Sequence, residues 1–374
     1  MSEPMSATQL GIECHIGRDT LEPGAYNSID LSVTVTMPKA EDDTMCSPGQ
    51  VVVVGNLDEH WSAAFDLDGA IYRTQLSEAL HAIIDAHHDG ASAGSIIVGP
   101  ETQVVNTNEL IAAIEQLNQI DMPLYVVSCA SSIDHRLLSQ FATLSGGEYA
   151  LLNQPDEAAS HAADVVAKAR KGVRRIGFMT VEVPAMFNIE QFCTISPQFG
   201  LIQLSSSARP KNSISFPVLC VGDAPSQRQF FMKVNIPPLA EGRFHLSHLR
   251  ITNSLTDEDI SLVEEEVSFK VFRGEEADKI HASSVSRMGY LLELTVLIEL
   301  IAQAYLREDG GSISQTLKSL EASLLQLGLS DAATRIRNLR VTFLHRGSFA
   351  LPELNESWQI VYGASTALAS GVAG

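Results

Sequence analysis

The chain has 374 residues, 45% of them apolar and 19% charged, which suits two or three globular domains with cores of their own. A formal net charge of −20 argues against nonspecific nucleic-acid binding, because phosphate contacts need a basic face. Five cysteines (Cys14, Cys46, Cys129, Cys193 and Cys220) are scattered and never paired as Cys-x-x-Cys. That argues against a disulfide framework or a zinc site and predicts a reducing cytoplasm.

The first thirteen residues are acidic and lack an apolar signal core, so export is not expected. Ser28 to Met37 alternates, with Ile29, Leu31, Val33, Val35 and Met37 on one face, as in a half-buried strand ended by Pro38. Val51 to Val54 is a continuous β-branched run, which predicts a strand covered on both faces. Strands and helices then alternate. Leu76, Ala79, Leu80, Ile83 and Ile84 make a helical stripe, and Ser95 to Val98 is a short buried strand. Thr107 or Asn108 starts a helix through Leu117. Leu124 to Val127 is a strand, followed by a helix bearing Leu137, Leu138, Phe141 and Ala142. Gly146-Gly147 stops that helix, and Tyr149 to Leu152 is the next apolar run. An alanine-rich helix from Pro155 to Lys171 closes the series, and the basic cluster Lys168 to Arg175 is its solvated end. This alternation requires a parallel sheet with right-handed crossovers and helices on both faces.

After Gly172 the pattern changes to short alternating runs punctuated by Pro and Gly, from Ile176 to Phe272, as in an antiparallel β-sandwich. The strand at Ser28 to Met37 can join that sandwich, which makes the α/β unit an insertion. Tyr290 to Leu306, Ile313 to Leu327 and Asp331 to Leu344 then read as helices, and the end of the chain as a small polar tail that frays. Tyr290 to Leu306 is the longest apolar stretch, but Glu293 and Glu299 interrupt it and it falls short of a roughly 20-residue span. It predicts a helix covered on all sides, by its own domain or by a second copy or partner. No membrane insertion is expected. The expected boundaries are 1–45 for N-terminal sandwich strands, 46–173 for the α/β domain, 174–274 for the sandwich, 275–346 for a helical module and 347–374 for the tail.

The segment from Pro123 to Val166 resembles the second half of a von Willebrand factor A domain. The matching residues are Asp134, Leu137, Leu138, Ala142, Gly146, Gly147 and Tyr149, and Thr74 with Leu76, Ala79 and Leu80 resembles the family's Thr-x-Leu-x-x-Ala-Leu helix start. The resemblance implies a Rossmann-like three-layer domain; bacterial members often set it into a β-sandwich followed by helices. It also implies an adhesion site for Mg²⁺, built from Asp-x-Ser-x-Ser after the first strand, a distant Thr and a later Asp, all hard oxygen ligands. Here the candidate first strand runs into Gly55-Asn56-Leu57-Asp58-Glu59-His60, and Ser95 to Val98 into Gly99-Pro100-Glu101; of the family's set only Thr74 remains. The stretch between Val35 and Val51 is also short for the family's opening strand, helix and strand. The expectation is a degenerate domain without metal or other cofactor; the rival is a site rebuilt from Thr74, Asp58 and Glu101.

Other candidates carry plainer readings. Cys129 lies just past a strand end with Asp134 and His135 nearby, a place where a cysteine nucleophile could act. A buried thiol beside a helix capped by Ser132 or Asp134 explains it as well. His81, Asp85, His87 and His88 share a helix at metal-ligand spacing but also suit a surface helix end. The acidic residues Asp257, Glu258, Asp259 and Glu264 to Glu266 fit a solvated edge, or a dock for a basic partner. No phosphate loop, nucleophile elbow or zinc-protease motif is present in the sequence.

These observations predict a non-enzymatic scaffold or adaptor. Its expected binding face is the C-terminal edge of the parallel sheet: Asn56, Thr74, Gly99, Glu101, Thr102, Ser131 and Ser132. The resemblance implies partners that are other proteins in a multiprotein assembly, often including an ATPase of the AAA+ class, with self-association through the C-terminal helices as a further expectation. The alternatives are a Mg²⁺-dependent adhesion module and a hydrolase using Cys129.

Overall fold

A computed structural model gives the fold and describes residues 10–37, 49–57, 59, 62, 65, 67–100, 102, 122–129, 133–151, 163–164, 166–170, 174–196, 200–201, 212–220, 226–252, 261–273 and 283–369. The chain opens with β1 (Gly11–Ile16), β2 (Thr20–Leu21) and β3 (Asn27–Met37). The alternation in β3 puts Ile29, Leu31, Val33, Val35 and Met37 at no more than 1% exposure in the sandwich core.

The α/β unit enters next. It comprises β4 (Gln50–Val54), β5 (Ile71–Arg73), α1 (Leu76–His88), β6 (Gly94–Val98), β7 (Leu124–Ser128), α2 (His135–Leu144) and β8 (Tyr149–Leu151). The strands form a parallel sheet in the order β5-β4-β6-β7-β8. One face, with Val52, Ile96 and Val126, packs on Leu76, Leu80 and Ile83 of α1 and Leu138 of α2. The other, with Val53, Ile97 and Tyr125, packs on Phe65, Val166 and Ala169. Burial on both faces is why these strands read as unbroken apolar runs. Gly146, at φ 80°, ends α2 in the left-handed region, and a Cβ on Gly147 would lie 2.0 Å from the Leu124 carbonyl oxygen. The Gly-Gly pair is therefore a steric requirement of the tight return into β8. The helix expected from Thr107 or Asn108 to Leu117 lies outside the described residues.

The sandwich resumes with β9 (Arg174–Glu182), β10 (Asn188–Ser196), β11 (Gly200–Leu201), β12 (Ser213–Cys220), β13 (Ser226–Ile236), β14 (Gly242–Thr252) and β15 (Ser261–Val271). One sheet runs β1-β3-β13-β10-β11 and the other β12-β9-β14-β15-β2. Pairing is antiparallel except between β15 and β2. Phe192, Phe216 and Phe230 meet between the sheets with ring centroids 4.3 to 5.8 Å apart. Such contacts contribute about 0.5–1.5 kcal/mol per pair beyond the area they bury. Of the acidic stretch, Glu264 to Glu266 lie exposed on β15, where Glu264 sits 3.7 Å from His248; Asp257, Glu258 and Asp259 lie outside the described residues.

Four helices follow: α3 (Ser283–Leu306), α4 (Gly310–Gln326), α5 (Ser330–Arg346) and α6 (Leu351–Ala369). By length and composition the Gly289–Leu306 part of α3 could cross a membrane. In the fold, however, its sides meet β3, β10 and β13 of the sandwich, then α4 and α6. Leu291, Leu292, Leu294, Ile298 and Ile301 are each at most 1% exposed. Its own domain buries these residues, whereas Tyr290, Leu300 and Leu306 stay exposed at 43%, 45% and 65%.

The expected tail at 347–374 is corrected: residues 351–369 are a full helix. Leu354, Trp358 and Val361 form its buried stripe, packed into the same core as α1, α2 and α4. Gly363 and the run of small residues after it hide this amphipathicity in the sequence.

Candidate functional site

Between β4 and β6 the strand order reverses. The chain leaves β4 for β5 on one side and re-enters at β6 on the other. Open α/β sheets hold their ligands in the crevice this creates beyond the strand ends. Gly55 turns out of β4 at φ 75°, and its amide donates to the Arg73 carbonyl at 2.9 Å. The Gly99 amide donates to the Val54 carbonyl at 2.8 Å. Thr102 then folds back over the pair, with Oγ1 3.1 Å from the Val54 carbonyl oxygen and 2.8 Å from that of Gly99. The packing leaves no room for side chains. A Cβ on Gly55 would come within 2.7 Å of Thr102 Oγ1, and one on Gly99 within 2.4 Å of the Asn56 carbonyl oxygen.

The structure thus brings Asn56, Gly99 and Thr102 together, but Gly99 and Thr102 are buried rather than presented, and Asn56 is the exposed member. Thr74 lies beyond the end of β5 and is exposed too. Its hydroxyl donates to Glu78 Oε2 at 3.1 Å, and the same oxygen accepts from the amides of Thr74 and Gln75 at the start of α1. The bond from the Thr74 hydroxyl is the main reason the Glu78 carboxyl sits below its usual range. Asp58, Glu101, Ser131 and Ser132 lie outside the described residues. Among the described residues, Asn56 and Thr102 offer neutral oxygens at the ends of β4 and β6, Glu59 lies exposed beyond β4, and the Thr74 hydroxyl is committed to a helix start. No group of three or more His, Cys, Asp or Glu side chains gathers anywhere among the described residues. The α1 histidines follow suit: His87 and His88 have ring centroids 6.3 Å apart, and His87 Nδ1 lies 3.4 Å from the Ala91 carbonyl oxygen.

Further along the same edge, the Cys129 amide donates to the Val98 carbonyl at 2.7 Å, and the residue is 9% exposed. Asp134 caps α2, with Oδ1 accepting from the amides of Arg136 and Leu137 at 3.0 and 3.3 Å. His135 is sealed in at 1% exposure, with Nδ1 2.8 Å from the Tyr149 hydroxyl and its ring against Trp358 of α6. Burial pulls its pKa down to about 4, partly opposed by Asp134. The imidazole is therefore neutral near pH 7 and closed off from any substrate.

Sequence reasoning missed the residue that fixes this loop. Asn355 of α6 donates through Nδ2 to the Ile133 carbonyl at 2.8 Å and accepts from the His135 amide at 3.2 Å. Beside it lies a buried ionic cluster. Arg136 Nη1 pairs with Glu299 of α3 at 2.8 Å and its Nη2 with Asp134 at 3.2 Å, while Gln140 donates to Glu299 at 3.1 Å. The carboxylates of Glu299 and Asp134 outweigh burial and keep the Arg136 guanidinium firmly protonated. The helical module is thus fastened to the edge where the candidate loops emerge. The basic cluster is also engaged, since Lys168 pairs with Glu148 at 2.7 Å and Arg170 donates to the Asp68 carbonyl at 2.7 Å.

No protein-family model matches this sequence, and no curated protein matches it. Solved structures do. A von Willebrand factor type A protein from Catenulispora acidiphila superposes with a TM-score of 0.64 at 12% identity, over 90% of this chain and 91% of that one. The ArnB paralog VWA2 from Sulfolobus acidocaldarius gives a TM-score of 0.53 at 12% identity, over 95% and 98% of the two chains. With its parallel five-stranded sheet set into a β-sandwich and followed by helices, the chain has the von Willebrand factor A-like fold along nearly its whole length.

Proposed function

We propose that this von Willebrand factor A-like chain is a non-enzymatic scaffold or adaptor that binds another protein without a bridging metal, inside a cytoplasmic multiprotein assembly. One observation carries the reading. Thr102 plugs the crevice at the strand reversal with its own hydroxyl, held between the Val54 and Gly99 carbonyls. Among the described residues of the expected face, Asn56 and Thr74 are exposed polar groups, which suit contact with a macromolecule's surface. The free thiols of Cys14, Cys129 and Cys193 accord with a reducing compartment. The partner class we favour is a subunit of such an assembly, an AAA+ ATPase among the candidates.

Affinity capture with the whole chain as bait tests this, run with Mg²⁺, with EDTA, and with Asn56→Arg and Thr74→Arg baits. The expected result is a partner retained in EDTA and lost with either arginine bait. Capture abolished by EDTA and restored by Mg²⁺ would overturn the metal-free reading. Capture indifferent to both substitutions would overturn the choice of face.

A further inference from the structure

A cleft of about 340 Å³ separates the outer face of the β1-β3-β13-β10-β11 sheet from α3. Its floor is a straight row across three strands, since Asp30 of β3 is in register with Lys233 of β13, which is in register with Gln191 of β10. All three side chains are half-buried, and among the described residues none of them has a hydrogen-bonded side-chain partner. The wall is α3, which contributes Tyr290, Leu292, Glu293 and Val296 to the lining. Glu293 is steadied by the Ser323 hydroxyl at 3.2 Å. Gly289 lines one end of the cleft beside Asp30.

Asp30 feels the charges of Lys233, Arg18 and Glu190, but half-buried polar groups without a hydrogen-bonded side-chain partner take one from solvent or from a ligand. The charges select which ligand. A simple cation would meet the Lys233 ammonium, and a simple anion would meet the Asp30 and Glu293 carboxylates. A small zwitterion matches both, with its ammonium between the two carboxylates and its carboxylate on Lys233 and the Gln191 amide. Tyr290, Leu292 and Val296 supply an apolar wall for a side chain, and the volume falls at the small end of ligand pockets. We propose that this cleft binds a free α-amino acid with an apolar side chain. Asp30 supports the assignment: burial raises its carboxyl despite the nearby Lys233 and Arg18, so an added ammonium would relieve an unfavourable setting. This site lies apart from the sheet edge around Asn56 and stands independently of the scaffold reading.

Calorimetric titration of the full chain tests it, using L-amino acids one at a time with propylamine and propionate as single-charge controls. The expectation is binding of at least one apolar amino acid, each control being at least about tenfold weaker, and a loss of about tenfold or more in Asp30→Asn and in Lys233→Gln. Circular dichroism checks that the variants fold; should Asp30→Asn unfold, Lys233→Gln alone decides. No binding of any amino acid at about 10 mM would overturn the proposal, as would control ligands that bind equally well or affinity unchanged in the folded variants.

Discussion

Replacing Glu299 by alanine should destabilise the chain by about 4 kcal/mol, and the size follows from what the substitution leaves behind. The side chains of Arg136 and Glu299 are each only 9% exposed and meet at 2.8 Å. Breaking a buried pair from one side costs about 3–5 kcal/mol, because the remaining charge is stranded away from water. Arg136 keeps its bond to Asp134, a carboxylate that is 19% exposed, which puts the charge contribution near the lower end, about 3 kcal/mol. Gln140 also loses its acceptor, for about 1 kcal/mol more. If the cost is the stranded charge rather than lost packing, removing both ions should undo it. Arg136→Met with Glu299→Leu is expected within about 1 kcal/mol of wild type. Urea unfolding followed by circular dichroism and tryptophan fluorescence measures both, and the double-mutant cycle isolates the pair. A loss under about 1 kcal/mol in Glu299→Ala, or a double variant no more stable than the single, would refute the reasoning.

Three further outcomes are expected. His135 has a folded-state pKa of about 4 against an ordinary 6.5. The unfolded chain therefore binds the proton first as pH falls, and stability should drop by about 3 kcal/mol between pH 6.5 and 4. Urea midpoints across that window should flatten in His135→Gln; parallel profiles would count against it. Asn355→Ala leaves the Ile133 carbonyl and the His135 amide buried without partners, for a loss of about 3 kcal/mol measurable by calorimetry. A change under about 0.5 kcal/mol would show that α6 does not hold the loop. Gly147→Ala forces a Cβ to within 2.0 Å of the Leu124 carbonyl oxygen and should cost more than about 4 kcal/mol. Soluble protein with a wild-type melting point would contradict this packing.

The sequence was most readable where one local rule governed the residues. Alternation from Ile29 to Met37, the β-branched run at Val51 to Val54, and Leu137-Leu138 ahead of Gly146-Gly147 all sit where their patterns predict. Strand β5 escaped notice because it is three residues long, with Tyr72 and Arg73 exposed, and shows no period. Asn355 escaped because its role depends on Ile133 and His135, more than two hundred positions earlier, and because it falls in the stretch expected as a tail. Thr102 is the opposite case. Its polarity and loop position suggested an outward group, whereas two backbone carbonyls satisfy its hydroxyl and let it sink to 4% exposure. Asn56 and Thr74 lie at the C-terminal edge of the parallel sheet, a position that follows from topology alone.

The insertion of the α/β unit between β3 and β9 has a consequence for biosynthesis. Strand β3 pairs with β1 before it, but its other neighbour is β13, where Met37 is paired with Ser226. A nascent chain emerging from the ribosome must hold a finished first strand, apolar on one side, while the whole parallel-sheet unit is translated. A unit folded in that gap would draw the waiting strand and its later partner toward each other. The order of translation thus casts the inserted domain as an internal template for the sandwich that surrounds it.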